Sequence, residues 1–174
     1  MEFRTCLLRT LRAIQPVLQE EDVLVAGSQV PNLLEPDARS TLVVSRDIDI
    51  VVPIERHSAV RARLREIHGL RPSYEEPSVW LPLKPDLIEV DFIGSDTTQR
   101  PGETYVFDDG ELPLLVFGQL SLLRPGRRLT IEGLTIPVAR PAGLLLEKLV
   151  TDRGGDKGDR DLLEGETEAA EDEH

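Results

Sequence analysis

Apolar residues recur at helical spacing through Thr5 to Gln19, where Leu7, Leu11, Ile14 and Leu18 form one stripe. Pro16 falls inside that stripe and predicts a break or kink. Val23 to Ala26 is a short apolar run suited to a buried strand. Gly27-Ser28 follows at once, and Gln29 to Leu34 reads as a short helix with Pro31 in its first turn. Beyond a polar loop, Glu35 to Ser40, the Val- and Ile-rich stretch Leu42 to Val52 predicts a strand. Glu55 to His68 predicts a helix with Ala59, Val60, Leu64 and Ile67 on one face, closed by Gly69.

The pattern then changes to period two. Val79 to Leu83 and Leu87 to Ile93 read as strands around the turn Lys84-Pro85-Asp86. Asp96 to Glu103 reads as a loop, and Arg127 to Val138 as a hairpin about Glu132-Gly133. Pro141 opens a helix to Thr151, Gly154-Gly155 breaks it, and Asp159 to Leu163 begins a last short helical segment. Strands joined both by helices and by hairpins define an α+β class: a mixed β-sheet flanked by helices. The domain is expected over residues 1–163, with residues 164–174 an acidic, disordered tail.

Charge and composition refine this picture. The net charge is −12, but Glu164 to His174 alone carries six carboxylates and no Lys or Arg. Setting the tail aside leaves 26 acidic against 20 basic residues, a mild imbalance compatible with an RNA partner. The single cysteine, Cys6, excludes an internal disulfide and is expected in the core. No apolar run is long enough to span a bilayer, and the Arg-interrupted N-terminus does not read as a signal peptide. No membrane association and a cytoplasmic location are expected.

The chemistry concentrates on two strands. Asp47 and Asp49 are two apart and share a face, with Ile48 and Ile50 on the other. Glu89 and Asp91 share a face in the later strand, opposite Ile88, Val90 and Phe92. If the strands are neighbours, Asp47, Asp49 and Asp91 converge. Such a cluster is unfavourable without a counter-charge, and one or two Mg2+ ions supply it while clamping a phosphoryl group. Gly27-Ser28, between a strand and a helix start, offers backbone N–H groups to a phosphate; an ordinary helix cap explains the same pair. His57 and His68 are too far apart on one helix to share a metal and read as surface residues. Arg56, Arg61, Arg63 and Arg65, with Arg71 beyond, form either a phosphate-tracking patch or, more simply, a solvated helix face.

Strand–Gly27-Ser28–helix, then Ser45-x-Asp47-x-Asp49, then a separate strand with Asp91, resembles the nucleotidyltransferase (polymerase-beta-like) superfamily. The segment from Leu134 through Lys148, followed by Arg153 and Lys157-Gly-Asp159-Arg-Asp161, is similar to its abortive-infection group, which includes toxins of type IV toxin–antitoxin systems. The resemblance implies a nucleotidyltransferase fold and transfer of a nucleoside monophosphate from a nucleoside triphosphate to a tRNA or protein hydroxyl. It further implies an antitoxin partner. Gly27 and Ser28 would hold the triphosphate, and Asp47 and Asp49 the metal. Asp91 would complete metal binding or act as general base, Lys148 would contact phosphate, and Asp161, ahead of Asp159, would complete the nucleotide site. The alternative is a non-catalytic or degenerate nucleotide-binding interaction module, against which the intact D-x-D pair speaks.

Overall fold

The computed structural model describes residues 2–34, 46–100, 102–109 and 112–144. The first helical stripe is two helices: α1 (Phe3–Ala13) and α2 (Gln15–Leu18), parted at Ile14. Pro16 stands in the first turn of α2, where its missing N–H costs nothing, so it starts a helix instead of kinking one. β1 (Leu24–Ala26) leads through Gly27-Ser28 into α3 (Gln29–Leu34). β2 (Asp47–Pro53) follows, then a 3-10 turn over Ile54–Arg56 and α4 (His57–Leu64), shorter than the apolar pattern predicts. The strands β3 (Leu70–Pro72), β4 (Val79–Pro82) and β5 (Glu89–Ser95) come next. They are followed by β6 (Thr104–Phe107), β7 (Leu114–Phe117), β8 (Pro125–Ile131) and β9 (Leu134–Ala139).

Among the described residues the strands build one mixed sheet in the order β3-β4-β5-β2-β1-β9-β8, with β7 also beside β5 and β6 outside β7. Parallel pairs β2–β5, β5–β7 and β1–β9 are mixed with antiparallel ones, and helices flank the sheet. β8 and β9 form the expected hairpin. Its two turn residues, Glu132 (φ 50°) and Gly133 (φ 78°), both adopt the left-handed backbone that a tight hairpin with the correct twist requires. β3, β6 and β7 are not anticipated from the apolar pattern. Residues 141–144 are helical as expected from Pro141. The rest of that helix, the 159–163 segment, the acidic tail, and strand residues 42–45 lie outside the described residues.

The core explains the geometry of the two acid-bearing strands. Ile48, Ile50, Val52, Val90 and Phe92 are fully buried, clustered with Leu7, Leu11, Ile14, Val17 and Leu18 of α1 and α2 and with Val60 and Leu64 of α4. Burying five such side chains contributes roughly 1.5–3 kcal/mol each, which holds the even-numbered face inward and turns the odd-numbered face the other way. Thr10 pins the start of β5 to α1: its hydroxyl donates to the Cys6 carbonyl at 2.8 Å and accepts from the Ile88 N–H at 2.9 Å. Nearby, Arg9 and Asp86 pair at 2.8 Å across the β4–β5 turn. At Ser78 the neighbour of β5 changes from β4 to β7. The Ser78 carbonyl accepts from the Phe92 N–H at 2.9 Å, and its hydroxyl accepts from the Leu115 N–H at 2.6 Å.

Candidate metal centre

β2 and β5 run parallel in the register Asp47↔Glu89, Ile48↔Val90, Asp49↔Asp91 and Ile50↔Phe92. Side chains alternate along a strand, and paired residues share a face. Four carboxylates therefore stand in two rows on the face away from Ile48, Ile50, Val90 and Phe92. One carboxylate oxygen each from Asp47, Glu89 and Asp91 lies within 4.8 Å of the other two. Asp47 Oδ1 and Asp91 Oδ1 are shielded from solvent and have no hydrogen-bond partner among the described residues.

This arrangement carries an electrostatic cost. Burial, then the carboxylates of Asp47, Glu89 and Glu76, push Asp91 from 3.8 up to about 7. Burial, then Asp47 and Glu76, raise Glu89 above the ordinary carboxylate range. Two things relieve such crowding: a proton held among the acids, or a cation bound between them. Hard divalent cations take oxygen ligands, and three converging carboxylates with two unpartnered buried oxygens match that donor set. Three acidic residues are thus placed to hold a metal ion.

Of the sequence-derived candidates, Asp47 and Asp91 belong to this group. Asp49 lies opposite Asp91 on one side and Ala26 on the other. Its carboxylate is turned toward Gly27: Oδ2 is 1.9 Å from the point a Cβ on Gly27 would occupy. Gly27, at φ +70°, is needed there both for its backbone conformation and for the missing side chain. Ser28 follows it, and the Gly27 carbonyl accepts from the Val30 N–H at 3.2 Å, closing the first turn of α3. The Gly27-Ser28 turn therefore adjoins the acidic face through Asp49. Lys148 and Asp161 lie outside the described residues, as do Ser45, Arg153 and Asp159.

Glu89, which is not among the sequence-derived candidates, stands with Asp47 and Asp91 in this group. The signal was present, since alternation puts Glu89 on the face of Asp91, but the register that sets it opposite Asp47 is a tertiary fact. His57 is corrected from a surface residue to a buried one, 4% exposed. Its Nε2 lies 2.8 Å from the Leu112 carbonyl, its Nδ1 lies 3.4 Å from Asp109, and its ring meets Phe107 edge-on. The arginine patch in and just before α4 is largely matched by acids: Arg56 with Glu21 and Asp22, Arg61 with Asp109, Arg63 with Glu20 and Glu66. A solvated face of ion pairs fits these arginines better than a phosphate track. No helix among the described residues is long and apolar enough to cross a membrane. Comparison with family models, curated proteins and solved structures finds no match to this chain.

Proposed function

We propose that this chain is a Mg2+-dependent nucleotidyltransferase with a nucleotidyltransferase fold. The observation that carries the reading is the convergence of Asp47, Glu89 and Asp91 from two adjacent parallel strands, with two buried, unpartnered oxygens among them. Asp49 and the Gly27-Ser28 turn stand beside that point, at the start of α3. Asp47, Glu89 and Asp91 would hold Mg2+, and Asp49 would join them as nucleotide enters. When bound, the ion supplies positive charge to the phosphates and orients them for in-line attack.

In this reading an acceptor hydroxyl oxygen forms a bond to the α-phosphorus of a nucleoside triphosphate. The bond from that phosphorus to the bridging oxygen breaks, and pyrophosphate leaves. The hydroxyl proton passes to a carboxylate of the acidic face. Gly27, Ser28 and Lys148 would face the pyrophosphate side, with Asp161 completing the nucleotide site. The acceptor would be a tRNA or a protein hydroxyl. The cellular setting would be the cytoplasm, as the toxin of a type IV toxin–antitoxin pair.

A second reading, a nucleotide-binding interaction module without transfer, draws on one observation: Asp49 lies against Gly27 instead of with Asp47 and Asp91. Each labelled nucleoside triphosphate, incubated with Mg2+, the chain, and total tRNA or a protein extract, separates the two. Label transfer by the wild type and its loss in Asp49→Ala supports the enzyme. Magnesium-dependent nucleotide uptake with no transfer to any acceptor supports the module. No metal and no nucleotide uptake refutes both.

A further inference from the structure

Every carboxylate of the site repels a polyphosphate, so a nucleotide held there needs a cation as well as a metal. The described part of the sheet has one on the right face. Arg71 in β3 pairs with Leu81 in β4, and Val79, two residues from Leu81, pairs with Asp91 in β5. Paired residues and residues two apart share a face, so Arg71 projects from the same side of the sheet as Asp91. The core residues obey the complementary rule: Leu70 and Trp80, one position along, are buried on the other side. β3 lies two strands from β5, roughly 10 Å at ~4.8 Å per strand, a gap that a long exposed side chain and a polyphosphate close together.

Two features set Arg71 apart from the arginines in and just before α4. It has no carboxylate partner among the described residues, whereas Arg56, Arg61 and Arg63 are each paired with acids. Its guanidinium instead lies 6.0 Å from the ring centre of Tyr74, a side chain 93% exposed to solvent. An aromatic ring steadies a guanidinium without neutralising it or occupying its N–H donors. The loop that carries Tyr74 also borders the metal centre, because Glu76 in that loop adds its field to both Glu89 and Asp91.

We infer that Arg71 is the phosphate-binding arm of this site, held over the acidic face by Tyr74, and that it grips the polyphosphate of a metal-bound nucleoside triphosphate. The inference rests on the metal-centred reading above and adds a residue that reading does not use. Arg71 acts on the bound anion; Tyr74 is a positioning residue that acts through it.

The test is calorimetric titration of the full chain with Mn2+ alone, then with inorganic tripolyphosphate and each of four nucleoside triphosphates in the presence of Mg2+. Arg71→Ala is expected to bind Mn2+ as the wild type does and to weaken tripolyphosphate and all four nucleotides by about tenfold or more, the loss of a charge-assisted contact. Arg71→Lys recovers part of that loss. Tyr74→Phe behaves as wild type, while Tyr74→Ala weakens tripolyphosphate by about two- to fourfold, as expected for an exposed cation–π contact. Unchanged tripolyphosphate affinity in Arg71→Ala, with Mn2+ binding intact, overturns the role of Arg71 and leaves the metal centre standing. Failure of the wild type to bind Mn2+ overturns the metal centre, and the inference with it.

Discussion

Replacing Asp91 by Asn removes the charge that the acidic cluster tolerates least. The Asp91 carboxyl is pushed from 3.8 to about 7, first by burial and then by Asp47, Glu89 and Glu76. At ~1.4 kcal/mol per tenfold, keeping it ionised in the folded chain costs roughly 4 kcal/mol. The group retains partial contact with solvent, and screening reduces the figure to about 1–2 kcal/mol. The sign follows from proton binding. The folded chain holds this proton more tightly than the unfolded chain, so metal-free stability falls as pH rises from about 4 to about 7 and stays low above that. Asp91→Asn lacks this slope. Near pH 8 and without divalent ions it is expected to be more stable than wild type by about 1–2 kcal/mol, a melting temperature roughly 2–8 °C higher. Millimolar Mg2+ reverses the order, because the wild type gains binding energy that the variant has lost. Thermal melts followed by circular dichroism at about pH 5 and about pH 8, with and without Mg2+, read all four conditions. A variant that melts below wild type near pH 8 without metal, or that keeps the wild-type pH slope, refutes the electrostatic account.

Glu89→Gln removes one of three anionic ligands; since losing even an outer-shell partner costs 10–100-fold in metal affinity, Mn2+ binding should weaken by at least about tenfold, and an unchanged titration would exclude Glu89 from the centre. Gly27→Ala sets a Cβ at a backbone φ of +70° and 1.9 Å from Asp49 Oδ2, so the urea midpoint should fall by the equivalent of at least about 1–2 kcal/mol. A midpoint at or above wild type would mean that the turn and Asp49 relax freely.

How much of this was legible in the sequence depended on distance along the chain. α3, β1 and the β8–β9 hairpin follow from local signals: an apolar run, a Gly-Ser break, a Glu-Gly turn. The shared face of Asp47 and Asp49, and that of Glu89 and Asp91, follow from period-two alternation alone. β3, β6 and β7 do not, because strands of three or four residues exist through their pairing and carry little pattern of their own. The cluster membership illustrates the limit. Alternation assigns a face, but only the register sets Glu89 opposite Asp47, and only side-chain packing turns Asp49 to Gly27. His57 is buried for a related reason: Phe107, Asp109 and Leu112, some fifty residues away, close over its ring.

The pairing of β2 with β5 has a consequence for how this molecule comes together. Sliding one strand past the other by a single residue would exchange its two sides, thrusting Asp49 or Asp91 among leucines and Phe92 or Ile50 into water. A one-residue slip therefore cannot assemble the acidic cluster. Hydrophobic collapse thus proofreads the acidic cluster against such a slip, and a cation caught between the finished strands would in turn bolt that alignment shut.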